Sequence, residues 1–313
     1  MTIDIICPLY KAENYILNIV DSVKKQKDVD VKTIRFALTE SGDNSEQILK
    51  ENNLYYSKTD AKNFSHSLTR ETEAMKSDAD ILVFITQDIV VQNDDWLKNL
   101  VAPIIANECV ASFSRQLSKF NNIEKYTREK NYPEESYINS KEDIEKKGLK
   151  TFFFSDAASA IKASVFKELG GYDGKIFPTN EDMYIAHKII TNGYKIKYCA
   201  DSVVYHSHNF SLKEVYKRYY LTGEFMAMNP QIDSYGTTSA GGGLAKYILK
   251  RALKDFNLKV LFRYFPDMFA RLIGMKKGKK NYIKKQKKLE KEMNKSKKAE
   301  ENLKNNESKE EVK

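Results

Sequence analysis

The chain has 313 residues and a mass of 36.1 kDa, with 41% hydrophobic and 12% aromatic residues, enough for one large domain with an appendage. Its charge of +9 is misplaced for a nucleic-acid binder: residues 275–313 hold 15 Lys and 7 Glu with no Arg or Asp, a net of +8, leaving +1 for everything before Met275 and no basic folded face for DNA or RNA. No apolar run nears the roughly 18 residues of a membrane span, the opening "MTIDIICPLY" lacks a signal peptide's basic-then-apolar order, and Cys7, Cys109 and Cys199 stand far apart without metal-site spacing, as buried thiols of a reducing cytoplasm do.

Residues 3–9, "IDIICPL", read as a buried strand ended by Pro8. Residues 13–26 follow as a helix, with Ile16, Ile19, Val20 and Val23 at helical spacing. "VKTIRFAL" (31–38) is a second strand running into the polar loop "TESGDNS". A short helix (45–52), a strand "NLYYS" (53–57) and a helix (65–76) come next. "ADILVFI" (79–85) is the most strand-like run of the chain, and "TQD" follows it at once. A helix over 94–106 and a strand "ECVASFS" (108–114) complete the alternation. Alternating strands and helices predict a doubly wound, mostly parallel sheet with helices on both faces. Ligands of such sheets bind at the carboxyl ends of the strands, which puts "CPLY", with Pro8 and Tyr10, "TESGD" and "TQD" on one rim.

Residues 118–150 are charged and poorly periodic, as an insertion or lid with helical pieces would be. Apolar character resumes at "TFFFSDAASAI" (151–161), and "ASVFKELGGYD" reads as a helix closed by Gly170 and Gly171. "YKIKYCADSVVYHSHNFS" supplies one or two strands and 211–226 a helix. Residues 244–273 form a basic, apolar-rich helical stretch interrupted by Pro266. The chain therefore divides into a main domain (1–235), a basic amphipathic segment (236–274) and a Lys/Glu-rich tail (275–313), disordered or an isolated helix.

Several side chains invite chemistry. Asp88, directly after the buried strand, is placed either to hold a divalent cation against a phosphate or to cap a turn. Glu40 and Asp43 either contact a nucleotide's ribose or base or belong to an ordinary polar turn. His206 and His208, two apart, share a face if the strand continues through them, and there they could ligate metal, bond phosphate or serve structure alone. His66, Thr69 and Arg70 surround a helix start suited to a diphosphate, while His187 reads as structural. Glu181 and Asp182, side by side at another helix start, either complement the unpaired first N–H groups or supply a general base.

Taken together, "CPLYKAENYI", "ESGDNS", "NFSHSLTRE", "LVFITQDIVVQNDDWL", "FFFSDAASAIKASVFKELGGYD", "FPTNEDMYIAHKIITNGYKIKY" and "VVYHSHNFSLKEVYKRYY" follow one another over residues 1–230 in an order that resembles family 2 glycosyltransferases of the GT-A fold. The "TQD", "NED" and "HSHN" set most resembles the bacterial rhamnosyltransferase branch. The resemblance implies that Asp182 is the general base with Glu181 beside it, and that Asp88 of the "QD" pair holds Mg²⁺ or Mn²⁺. Gln87 stands where an Asp-x-Asp pair would have its first acid. His206 or His208 would lie near the diphosphate and metal. Glu40 stands where the family has an Asp that contacts the nucleotide, and Asp43 is a looser match. Ser155, Asp156 and Ala157 match a donor-sugar or acceptor loop in which this branch often carries Asn instead of Asp156.

The implied activity is inverting transfer of L-rhamnose from dTDP-L-rhamnose to a saccharide hydroxyl in cell-surface polysaccharide synthesis, without a covalent enzyme intermediate. UDP-galactose, UDP-glucose and UDP-N-acetylhexosamine are alternative donors, and a non-catalytic sugar-nucleotide-binding scaffold is an alternative role. The implied partners are a nucleotide-sugar donor, a lipid-linked saccharide acceptor and an anionic membrane surface. The implied place is the cytoplasm, peripheral on the inner face of the cell membrane.

Overall fold

Among the described residues, nine strands pair into one sheet: β1 (Thr2–Leu9), β2 (Asp30–Thr39), β3 (Tyr56–Thr59), β4 (Ile81–Ile85), β5 (Val90–Val91), β6 (Ala111–Leu117), β7 (Tyr137–Asn139), β8 (Ala158–Lys162) and β9 (Ile196–Tyr205). They are arranged β3-β2-β1-β4-β8-β6-β9-β5, with β7 also against β9, in a computed structural model that describes residues 1–310. Six strands run one way; β5, β7 and β8 run the other.

The strand sequences are apolar on both sides because both faces are covered. Ile5, Cys7, Ile81, Val83 and Ile85 point into one core beneath the helices Ile16–Lys24, Ser45–Glu51 and Trp96–Ile105. Ile6, Leu82, Phe84 and Phe113 point into the other, beneath Ala163–Glu168, Glu181–Thr191 and Leu212–Met228. The antiparallel β8 is the feature that alternation did not foretell. Because it runs backwards between β4 and β6, its leading residues Ser155–Ala157 arrive on the same rim as the carboxyl ends of β1 and β4, where Thr86 donates its backbone N–H to the Ala157 carbonyl at 3.2 Å.

Several boundaries move for local reasons. The expected strand 53–57 begins only at Tyr56, because Asn53 closes the preceding helix with φ of 51°. The 118–150 insertion contains the helix Ile123–Asn131 and β7, which extends the sheet edge. Pro266 does not interrupt the C-terminal helices. The break falls at Asp255–Asn257, where Phe256 has φ of 48°, between Thr237–Lys254 and a helix running from Leu258 to Glu310.

That last helix crosses the 274/275 boundary unbroken, and its middle is docked rather than isolated. It lies along Leu212–Met228, where Arg271 bonds the Tyr219 hydroxyl at 2.6 Å and Asn281 bonds the Tyr220 hydroxyl at 3.2 Å, and Lys279 pairs at 2.6 Å with Asp233 of the short helix Pro230–Asp233 that follows. Glycines permit the close approach: a β-carbon on Gly278 would strike the Tyr220 carbonyl oxygen, and one on Gly274 would meet that of Tyr216 at 2.6 Å. The last three residues of the expected tail, 311–313, lie outside the described residues.

Candidate active site

The carboxyl ends of β1, β2 and β4, the approach to β8 and the residues after β9 surround a cavity of about 680 Å³. Of the residues expected at a site, Pro8, Tyr10, His66, Arg70, Gln87, Asp88, Asp156, Glu181, Asp182, His206 and His208 all line it. Glu40 and Asp43 do not. Glu40 is exposed and faces Lys58 at 3.7 Å. Asp43 is held by the Ser41 and Ser45 hydroxyls, each at 2.7 Å, and also accepts the Glu13 N–H, which ties its loop to the chain after β1. Gln87 is likewise committed: its amide exchanges two hydrogen bonds with the Tyr10 backbone, at 2.8 and 2.9 Å, stapling two rim loops together.

One wall is acidic. Asn180, in the left-handed region at φ of 62°, turns the chain so that Glu181 and Asp182 open the next helix at the cavity; a short polar side chain tolerates that backbone. Glu181 accepts from Arg70 Nη1 at 2.6 Å. Arg70, expected beside a diphosphate, is therefore engaged with Glu181, and it also reaches the Asp156 carbonyl at 3.4 Å. Asp156 is buried, with its carboxylate oxygens on the Ser159 hydroxyl at 2.8 Å and the Tyr172 hydroxyl at 2.6 Å. Burial pushes its pKa upward, with Arg70 opposing. Among the described residues, no cation forms an ion pair with Asp182. One of its oxygens accepts its neighbour's N–H, from Met183 at 2.8 Å. Burial, then the charges of Glu181 and Asp156, raise its pKa well above the carboxylate range.

The other wall carries ligand-type atoms. Asp88 Oδ2 lies 3.6 Å from His206 Nε2 and 3.8 Å from His208 Nδ1. One atom from each of the three residues can be chosen so that all lie within 4.8 Å of one another. The His206 tautomer follows from its surroundings. Gln116 Oε1 accepts from Arg128 Nη1 at 2.5 Å, and an arginine has only donors. That same oxygen is 2.9 Å from His206 Nδ1, so Nδ1 must carry the proton and Nε2 is left with a lone pair toward Asp88. Burial, then the Arg128 charge, lowers the His206 pKa to about 3, and burial lowers that of His208. Two neutral imidazoles and a carboxylate fit a divalent cation.

Three contributors escaped the sequence reading. Gln116 and Arg128 come from β6 and the insertion helix, ninety and seventy-eight positions before His206, and nothing local marks them. Arg218 lines the cavity from the helix Leu212–Met228, its guanidinium 5.7 Å from the Phe210 ring centroid. Its only local signal is a cation seven residues, about two helical turns, beyond "HSHNFS". His187, read as structural, packs on Phe152 with ring centroids 5.0 Å apart and is not among the cavity's lining residues.

A mostly parallel sheet with one reversed central strand, an acid wall and an Asp-His-His wall across a rim cavity define a nucleotide-sugar transferase of the GT-A type. The sequence matches the family Glycosyl transferase family 2 over residues 4–170, and the chain belongs to it. It is a glycosyltransferase. It is 36% identical over 293 residues to the O-antigen chain rhamnosyltransferase RfbN of Salmonella typhimurium (strain LT2), covering 89% of this chain and 90% of that one. It is 35% identical over 221 residues to the O-antigen chain rhamnosyltransferase WbaN of Salmonella anatum, covering 69% and 70%. Among solved structures, the fold is shared with the mannosyltransferase PcManGT of Pyrobaculum calidifontis, in complex with GDP-Man and Mn²⁺, at a TM-score of 0.60 and 14% identity over 88% of this chain and 86% of that one. It is shared also with S. aureus TarS 1–349, at 0.53 and 14% over 91% and 92%.

Proposed function

We propose that this glycosyltransferase moves L-rhamnose from dTDP-L-rhamnose onto a hydroxyl of a lipid-linked saccharide, at the cytoplasmic face of an anionic membrane, with inversion at the sugar carbon. The observation that carries the reading is that one cavity gathers Asp182, an acid with no ion-pair partner among the described residues, together with the ligand-type Asp88, His206 and His208 and the cation Arg218. The two rhamnosyltransferase relatives supply the donor sugar and the polysaccharide context.

Asp182 takes the proton from the acceptor hydroxyl. Its raised pKa makes it a stronger base than an ordinary carboxylate. Glu181 stands beside it, held by Arg70, and adds negative charge that strengthens it further. Asp156, fixed by Tyr172 and Ser159, shapes the floor against which the donor sugar lies. The acceptor oxygen attacks the anomeric carbon from the Asp182 side, and the bond to the nucleotide diphosphate breaks on the other. Arg218 faces that departing charge. Asp88, His206 and His208 would hold a divalent cation, Mn²⁺ in preference to Mg²⁺ because two of the donors are imidazoles. When bound, that ion supplies positive charge to the diphosphate oxygens.

A sugar-nucleotide panel tests the donor. dTDP-rhamnose should be consumed well ahead of UDP-galactose, UDP-glucose and UDP-N-acetylhexosamines, with release of dTDP and a product of inverted configuration. Preferential turnover of a UDP sugar would move the protein to another donor within the same family.

A further inference from the structure

The helix Leu258–Glu310 bears an apolar face that the fold does not cover. Leu258, Phe262, Phe265, Phe269 and Leu272 recur at intervals of four and three, which places them on one side. All five are exposed, and Phe262, Phe265 and Phe269, with Phe256 in the preceding turn, are 66% to 86% exposed. Four phenylalanines so bare on neighbouring turns are far from the scattered apolar residues of an ordinary surface. The opposite side of the same helix is occupied: Val260 and Tyr264 are buried against the insertion helix and Thr237–Lys254, and Asp267 is buried against Arg271.

Charge decides what covers the bare face. Further along, the same side reads Lys276, Lys280, Ile283 and Lys287. Between residues 258 and 289 the helix has eleven Lys and Arg and one acid, the buried Asp267. A second copy in parallel register would set these lysines against their own kind, and one in antiparallel register would set them against phenylalanines. An anionic bilayer surface accepts both halves, with aromatic rings at the acyl boundary and ammonium groups among the headgroup phosphates. No described helix is long and apolar enough to cross a membrane.

We infer that the face formed by Phe262, Phe265 and Phe269, continued by Lys276, Lys280 and Lys287, docks the enzyme in the plane of an anionic lipid surface. It is joined to the cavity. Arg263, within the same two turns, donates to the Phe210 carbonyl at 2.8 Å, and the Phe210 ring stacks on His208 with centroids 4.8 Å apart and planes 29° apart. The surface that meets lipid is thus tied to the wall that would meet the diphosphate. This deepens the proposed reading by naming where the acceptor's membrane is engaged, although docking itself is measurable without turnover.

The chain's one tryptophan, Trp96, is fully buried, so Phe265→Trp adds a reporter against a constant background. Its emission should shift to the blue and be quenched by brominated lipid with phosphatidylglycerol-containing vesicles at low salt. The shift should be far weaker with pure phosphatidylcholine or at high salt. Replacing Phe262, Phe265 and Phe269 together by Ser should lower vesicle affinity on the order of tenfold or more, with donor hydrolysis in solution and circular dichroism unchanged. A blue shift in lipid-free buffer accompanied by a doubled mass would overturn the inference in favour of a second copy, as would wild-type vesicle binding by the triple Ser variant. Vesicle binding by a protein that hydrolyses no sugar nucleotide would sink the catalytic reading and leave the docking surface standing.

Discussion

Arg70 and Glu181, 111 residues apart in sequence, form an ion pair at 2.6 Å with side chains only 2% and 10% exposed. Arg70 is the cation at a junction of three carboxyl groups, Glu181, Asp156 and Asp182, and each of the three feels its charge or bonds its guanidinium. Removing one partner of such a pair strands the other in a poor solvent for ions. Arg70→Met should therefore destabilise the fold by about 3–5 kcal/mol in denaturant titrations. The double variant with Glu181→Gln should recover much of that loss. Additive losses from the two single substitutions would mean that the pair contributes no coupling.

Asp182→Asn separates chemistry from stability. Transfer should fall by about 10²–10⁴-fold with donor affinity nearly unchanged, because a positioned base is lost and a near-isostere is left. Stability should move the other way. The folded state raises the Asp182 pKa, so this group's favourable contribution is complete below the unfolded carboxylate pKa and is lost as pH rises through the folded value. Asn bears no such penalty. Its melting temperature should exceed wild type at neutral and alkaline pH, and the two should converge in acid. The acid limb of the wild-type pH–rate profile should inflect above the ordinary carboxylate range. A limb at the ordinary value, or wild-type turnover by the Asn variant, removes Asp182 from the mechanism.

How far the sequence foretold this arrangement depends on whether the deciding contacts are local. The run "ILVFI" is buried at every position and could only be a central strand. The pair Glu181–Asp182 announced itself by its place at a helix start. The reversal of β8 was not legible, since "ASAIK" would suit either direction; neighbours far away in the chain decide it. Gln116 was invisible for a like reason, being an ordinary polar residue in a strand until Arg128 and His206 are folded against it. Glu40 and Asp43 show the converse. The sequence leaves their loop open between nucleotide contact and an ordinary polar turn, and Asp43's hydrogen bonds fasten one rim loop to another. In the C-terminal region Pro266 is accommodated within a helix, and the break falls at Phe256, whose left-handed backbone its residue type does not announce.

Gln116 offers a test of the Asp-His-His wall that needs no turnover. Gln116→Leu removes the acceptor that holds the proton on His206 Nδ1, freeing the ring to place its proton toward Asp88. Loss of such an outer partner typically costs about 10–100-fold in metal affinity. Mn²⁺ titration followed by electron paramagnetic resonance should show a weakening of that order. Nitrogen-15 correlation spectra of the metal-free protein should show the His206 tautomer changing from purely Nδ1-protonated to mixed. An unchanged tautomer in the Leu variant would mean that Gln116 does not orient the ring.

Gly274 and Gly278, one helical turn apart, lie against Leu212–Met228, and Gly223 of that helix lies against them in return. At each, an added methyl meets backbone rather than a side chain that could swing aside: the carbonyl oxygens of Tyr216, Tyr220 and Met275 respectively. The two helices must then separate, loosening the Arg271–Tyr219 and Lys279–Asp233 contacts that hold the long helix in place. Alanine is otherwise the better helix former by about 1 kcal/mol. Gly278→Ala should nonetheless destabilise, by about 1–3 kcal/mol as an overpacked contact does. Exposed Gly242, whose β-carbon would meet nothing within 4 Å, is the control, and Gly242→Ala should be neutral or stabilising. Hydrogen exchange along residues 258–290 should rise in Gly278→Ala and stay at the wild-type level in Gly242→Ala. If both substitutions stabilise alike, the helices do not approach this closely.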